Sequence, residues 1–295
     1  MLSSFRTDYL QYYDLQKLHP LRSISIGRCE ETFLRGLDGN SVLHSVQSLE
    51  LEEFPVTSKS LSNLLKCFPA LCHLTLSASE EDHDEEVVLQ FPPSSSLRDV
   101  NLQGCKNLIL PVEDGGGFQG LLSLESVSVD DCGKLLSRCS MGDAPFSFNP
   151  FPPYIKELHL RDEPSTAAMA LFSNLTSLTK LELINCTNIT VDGFNPLITS
   201  NLEYLDIYNL RDDEIEPCSI AMDLLADVAR TKTMPAGSFQ LVNLAVDSIS
   251  ALLVPSICTR LSTSLRRYAS VLICRWRASR KSRSRPFSSS HPSET

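Results

Sequence analysis

Apolar and polar residues alternate in short bursts along the chain, and the bursts recur. The clearest runs Leu178-x-x-Leu181-x-Leu183-x-x-Cys186-x-x-Ile189. The same spacing recurs as Leu124-x-x-Val127-x-Val129-x-x-Cys132-x-x-Leu135 and as Leu97-x-x-Val100-x-Leu102-x-x-Cys105-x-x-Leu108. Shorter matches start at Leu21, Val46, Leu71, Ile155, Leu202 and Leu241. Seven of the eight spacings between starts lie between 23 and 31 residues, so the bursts are units of one repeat rather than isolated strands.

In each unit the alternation predicts a strand, because successive side chains of a strand point to opposite faces. Leu181 and Leu183 point inward, while Lys180 and Glu182 point out. One such strand with its loop cannot bury its apolar face, but stacked neighbours can. The period and pattern are those of a leucine-rich repeat. The expected fold class is α/β: a horseshoe solenoid with a concave parallel sheet and an irregular, partly helical convex side. The expected core is Leu71, Leu74, Leu76, Leu97, Val100, Leu102, Cys105, Val127, Val129, Cys132, Leu158, Leu160, Leu178, Leu181, Leu183, Cys186, Leu205 and Ile207. Cys29, Cys105, Cys132 and Cys186 fall where a small side chain turns the chain back under the sheet, which favours a structural role over metal binding.

The pattern divides the chain into a lead-in over 1–17, a repeat domain over 18–264 and a tail over 265–295. Among the connections, 57–68 has a Thr/Ser start and apolar residues at Leu61, Leu64, Leu65 and Phe68, which predicts a helix. Similar spacing predicts helices at 165–172 and 218–230. The Pro- and Gly-rich stretches 91–96, 113–120 and 148–153 predict irregular loops. The acidic run 79–86 reads as a solvated loop.

Charge sharpens this picture. From Arg260 onward there are nine Arg or Lys and one acid, so residues 260–295 carry +8 and residues 1–259 carry −18. An acidic body argues against a nucleic-acid partner, since phosphate contacts need clustered cations. The tail is basic, Ser-rich and poor in large apolar residues, which predicts disorder. A shifted reading frame would account for the abrupt change near Tyr268, and the coding DNA decides that. The N-terminus lacks an apolar signal core, and no apolar run approaches the roughly 20 residues of a membrane span. The expectation is a cytoplasmic chain with reduced thiols and unused glycosylation triplets at Asn174, Asn185 and Asn188.

The search for chemistry yields no catalytic constellation: no phosphate loop, nucleophile elbow or H-E-x-x-H helix. Cys67, Cys72, His73 and His83 fit no familiar zinc spacing. No cofactor or metal is expected. What remains is the concave face, whose candidate partner-binding residues are His73, Thr75, Asp99, Asn101, Ser126, Ser128, Glu157, His159, Lys180, Glu182, Tyr204 and Asp206. The other outward positions are Ser23, Ser25, Ser48, Glu50, Asn243 and Ala245.

The phrases "SLESVSVDDCGKLL", "SLTKLELINCTNIT" and "MDLLADVARTKTMPAGSFQLVNLAVDSISALL" resemble the leucine-rich-repeat region of plant intracellular immune receptors, the cereal nucleotide-binding resistance proteins. The likeness covers about residues 15–264. It implies a non-enzymatic repeat domain that senses pathogen effectors or guarded host proteins and restrains a nucleotide-binding switch. Neither that switch nor the family's coiled coil is in this sequence, so nucleotide binding does not carry over. The resemblance implies a fragment, a truncated product or a decoy. The other class compatible with such repeats is an adaptor, such as a ubiquitin-ligase substrate-recognition subunit. Only about 20 residues precede Leu21, too few for an F-box-like module.

Overall fold

The computed structural model describes residues 21–27, 42–78, 85–92, 96–111, 117–137, 149–163, 172, 174–186, 202–208 and 243–246. Eleven strands occur there. Nine form one parallel sheet in chain order: β1 (Ser23–Ile26), β2 (Ser48–Phe54), β3 (His73–Ala78), β5 (Asp99–Gln103), β7 (Ser126–Asp130), β8 (Glu157–Arg161), β9 (Lys180–Ile184), β10 (Tyr204–Tyr208) and β11 (Asn243–Val246). Strands adjacent in the sheet follow one another along the chain with no crossover, so the chain winds as a solenoid of stacked coils.

The register is the one the alternation demands. Leu49, Leu74, Val100, Val127, Leu158, Leu181 and Leu205 stand in one row across the sheet. Leu51, Leu76, Leu102, Val129, Leu160, Leu183 and Ile207 form the next. Side chains of the inward rows are buried from Leu49 to Leu183, as are Leu71, Leu97, Leu178, Cys105, Cys132 and Cys186. Leu205 and Ile207 hold the same register positions; their side chains lie outside the described residues, as do those of Asn243 and Ala245.

Each strand is entered by one repeated bond. The residue before the strand donates its N–H to the preceding coil: Cys72 to Gln47, Arg98 to Cys72, Glu125 to Arg98, Lys156 to Glu125 and Thr179 to Lys156, at 2.7–2.8 Å. Strands β5, β7, β8 and β9 are each left through a left-handed residue: Gly104 (φ 64°), Asp131 (φ 52°), Asp162 (φ 51°) and Asn185 (φ 54°). Gly, Asp and Asn are the types that reach this region most readily. The next residue then drops under the sheet. At Cys105, Cys132 and Cys186 the thiol faces two acceptors, the carbonyl two residues back on its own strand (Gln103, Asp130 and Ile184, 3.3–3.4 Å) and, slightly farther, the carbonyl of the inward strand residue one coil earlier: Leu76 (4.0 Å), Leu102 (3.6 Å) and Leu160 (3.4 Å). The cysteines are thus a ladder of weak donors that ties coil to coil.

The return side is less regular. Helix α1 (Ser58–Cys67) begins at Thr57 with a capping box: Thr57 Oγ1 accepts from the Ser60 N–H at 3.0 Å, and Ser60 Oγ accepts from the Thr57 N–H at 2.9 Å. Its Leu61, Leu64 and Leu65 are buried, as the spacing implied, and so is Phe68 at its C-terminal cap. It is the one α-helix among the described residues. The loop expected over 113–120 is instead a 3₁₀ turn over Gly117–Gly120. Fully buried Phe118 anchors that turn, and Gly117 supplies a φ of 58° where a side chain would press on Leu110. A short parallel pair, β4 (Val87–Val88) and β6 (Leu108–Ile109), had no signature in the sequence pattern. Asn107 beside it donates to Val56 O at 2.9 Å and to Glu85 O at 3.3 Å, tying three coils together.

Inside the return side runs an aromatic column. Phe91, Phe118, Phe151 and Phe172 stack in sequence with ring centroids 5.8, 5.4 and 5.7 Å apart. The lead-in 1–17, Cys29, the helices expected at 165–172 (apart from Phe172) and 218–230, most of the acidic run and the tail 265–295 lie outside the described residues.

Candidate functional site: the open face of the sheet

The outward strand positions form a single polar surface. On it His73, Thr75, Asp99, Asn101, Ser126, Ser128 and His159 line an open hollow of about 290 Å³ that crosses β3, β5, β7 and β8. His73 Nδ1 lies 2.5 Å from Asp99 Oδ2. His159 is clasped from two strands, Nδ1 at 2.8 Å from Glu182 Oε2 and Nε2 at 3.5 Å from Glu157 Oε2. These contacts use both carboxylates to orient the ring. No serine of the hollow is hydrogen-bonded to either histidine, so the nucleophile–base contact of a hydrolytic triad is not formed there.

Toward β10 the chemistry changes. Lys180 Nζ sits 5.0 Å over the Tyr204 ring and 3.8 Å from Glu182 Oε2. The Tyr204 hydroxyl donates to Asp206 Oδ2 at 3.1 Å. Asp206, expected among the exposed residues, is buried at 8% exposure. Its carboxyl is drawn in against the Tyr204 hydroxyl, a depth that alternation does not encode. Burial raises its carboxyl above the ordinary range, with Glu182 adding to the shift and Tyr204 opposing it.

The face is acidic. Its strands turn out Glu50, Asp99, Asp130, Glu157, Glu182 and Asp206 against Arg161 and Lys180. Arg161 is 3.9 Å from Asp130, and Ser25 Oγ donates to Glu50 Oε2 at 2.9 Å. Two acceptor oxygens on the face, Asn101 Oδ1 and Asp206 Oδ1, are buried without a protein partner. A complementary surface would therefore bring donors and positive charge.

The ladder holds one residue that sequence reasoning passed over. Aligning Ile155-x-x-Leu158-x-Leu160-x-x-Glu163 with its neighbours puts a glutamate in the cysteine place. Glu163 is fully buried, and its Oε1 accepts the Cys132 N–H at 2.8 Å. The signal was legible once the register was set, since the other coils place Cys there. The remaining thiols are chemically quiet. Burial pushes Cys186 up to about 12. The Cys132 thiol is also held well above its ordinary range, first by its hydrogen bond with Cys105 and then by burial. Thiolate is the reacting form, so iodoacetamide on the native chain should modify half-buried Cys72 before Cys105, Cys132 and Cys186. Peptide mass spectrometry over time checks this; equal rates at all four would refute the ladder.

Among the described residues, no group of three or more His, Cys, Asp or Glu is placed to hold a metal ion. No described helix is long and apolar enough to cross a membrane. The architecture is that of a parallel solenoid protein with a broad polar face. Comparison with protein-family models, curated proteins and solved structures finds no match in any of the three.

Proposed function

We propose that this chain is a non-enzymatic interaction solenoid of the leucine-rich-repeat type, acting in the cytoplasm as the recognition region of a plant immune receptor. Its open sheet face is the concave docking surface for a protein. The observation that carries the reading is the acidic, multi-strand polar face with two unpartnered acceptors, held on a core that leaves no inward position for chemistry. Solenoids use such extended faces for binding. The partner is a protein with a basic patch: an effector, a guarded host protein or a receptor's own nucleotide-binding domain. The leucine spacing and the thiol ladder favour the repeat type, and the quoted phrases favour the receptor family.

Two measurements on the full chain test this. Calorimetry should show no heat of binding for ATP or ADP; a saturable signal would overturn the non-switch reading. Capture from plant extract should recover a receptor nucleotide-binding domain, a host protein or an effector. Recovery of ubiquitin-ligase subunits instead would make the chain an adaptor.

A further inference from the structure

Three coils meet at the turns that follow β7, β8 and β9. Asp131 N–H donates to Arg161 O and Asp162 N–H to Ile184 O, each at 2.9 Å, and Asn185 Nδ2 donates to Asp162 Oδ1 at 2.6 Å. Glu163 lies beneath these turns, between Cys132 of the coil before and Cys186 of the coil after. Its Oε1 has the Cys132 N–H, but its Oε2 is buried with no partner.

Its neighbours show what belongs in that place. The ladder residues on either side are donors, each thiol hydrogen shared between a carbonyl two residues back on its own strand (Asp130, Ile184) and an inward strand carbonyl one coil back (Leu102, Leu160). By register the corresponding carbonyl for Glu163 is that of Val129. A carboxylate has no hydrogen to give; a carboxylic acid has one. We propose that Glu163 is a proton-operated joint of the solenoid: neutral, it fills the donor rung that thiols fill elsewhere, and ionised, it loosens the turns of β7, β8 and β9.

The surroundings oppose ionisation. The groups facing Glu163 are Asp130, Asp131 and Cys132 from the coil before, Asp162 on its own turn and Cys186 on the coil after. Asp130 is paired at 3.9 Å with Arg161, and Asp131 at 3.3 Å with Lys106, so both nearby cations are already engaged. Burial, the largest cause, raises the Glu163 carboxyl to about 7; the Cys132 N–H opposes the rise and the three aspartates add to it. The folded-state value stands above the unfolded one, near 4.5. The stability from the neutral form is therefore complete below about 4.5 and is lost as pH rises through about 7. Glu163 lies two residues past the end of β8, the strand that carries Glu157 and His159, so the joint borders the polar face at the turns. The joint stands whether or not that face docks a protein.

The test compares the full chain with Glu163→Gln, which keeps the Oε1 acceptor and supplies a permanent donor. Hydrogen exchange at the Asp131 and Asp162 amides, which donate across the turns, corrected for intrinsic rate, should be at least about tenfold slower in the variant at pH 8, the worth of one pKa unit. The two chains should converge at pH 5. Equal exchange at pH 8 overturns the joint. A difference that persists at pH 5 also overturns it, since it would reflect packing rather than charge. Should the variant fail to fold, side-chain carboxyl ¹³C titration of the unsubstituted chain decides. One glutamate moving near pH 7 supports the joint, and all glutamates titrating in the ordinary range refute it.

Discussion

Phe118→Ala is expected to destabilise the solenoid by about 3–5 kcal/mol, the range for deleting a buried aromatic ring. Phe118 is fully buried and stands inside the aromatic column, 5.8 Å from Phe91 and 5.4 Å from Phe151. Each aromatic contact adds roughly 0.5–1.5 kcal/mol beyond area burial. The ring also anchors the Gly117–Gly120 turn, so the cavity opens under a segment with little other support. In a solenoid each coil touches only its neighbours, and a break in the middle uncouples the two ends. Urea unfolding followed by circular dichroism should therefore show a lower midpoint and a broadened or split transition. Phe91→Ala removes a partly buried ring with one stacking neighbour among the described residues, Phe118, and should cost clearly less. Equal losses for the two would mean that the column does not bind the coils together.

Leu181→Ala should cost about 2–5 kcal/mol, as for other buried leucines. Leu181 is 2% exposed and stands in the inward row between Leu158 and Leu205. Lys180, one residue earlier, points to the opposite face and meets only Glu182 and the Tyr204 ring. A surface ion pair and an exposed cation–π contact are each worth about 1 kcal/mol or less. Lys180→Ala should thus fall within roughly 1 kcal/mol of the starting protein. Urea midpoints for the two variants read the register directly. Equal effects would mean that the strand is slipped by one residue, which exchanges every inward and outward side chain.

The sheet was readable because its rule is local. A period-2 alternation repeated at a regular interval fixes strand, face and register together, which is why Leu74 through Leu183 fall in two continuous rows. The thiol positions were readable for the same reason, as Cys follows the left-handed turn after β5, β7 and β9. Helix α1 was legible from its spacing, but the rest of the described return side was not, because there each coil solves its own packing problem. The column needs a phenylalanine in space, not at a fixed offset: Phe91, Phe118 and Phe172 precede the first inward strand residue by nine positions, Phe151 by seven. The β4–β6 pair depends on where two loops happen to meet. On the polar face, which residues turn outward was legible, but depth was not. Asp206 is buried against the Tyr204 hydroxyl, and the clasp of His159 by Glu157 and Glu182 requires two adjacent coils in register. Glu163 was hidden by its residue type, since a charged side chain reads as surface until the ladder shows that its place is inside.

The central claim is that the acidic sheet face docks a protein. The most direct measurement is quantitative capture of one identified partner by three full-length chains: unsubstituted, Asp99→Lys with Glu157→Lys, and Glu85→Lys. Asp99 and Glu157 lie on the face, whereas exposed Glu85 lies on the return side beside β4. With folding verified by circular dichroism, the double reversal should lose the partner by tenfold or more, about 1.4 kcal/mol or above, while Glu85→Lys retains it. Equal capture by all three chains would contradict the account.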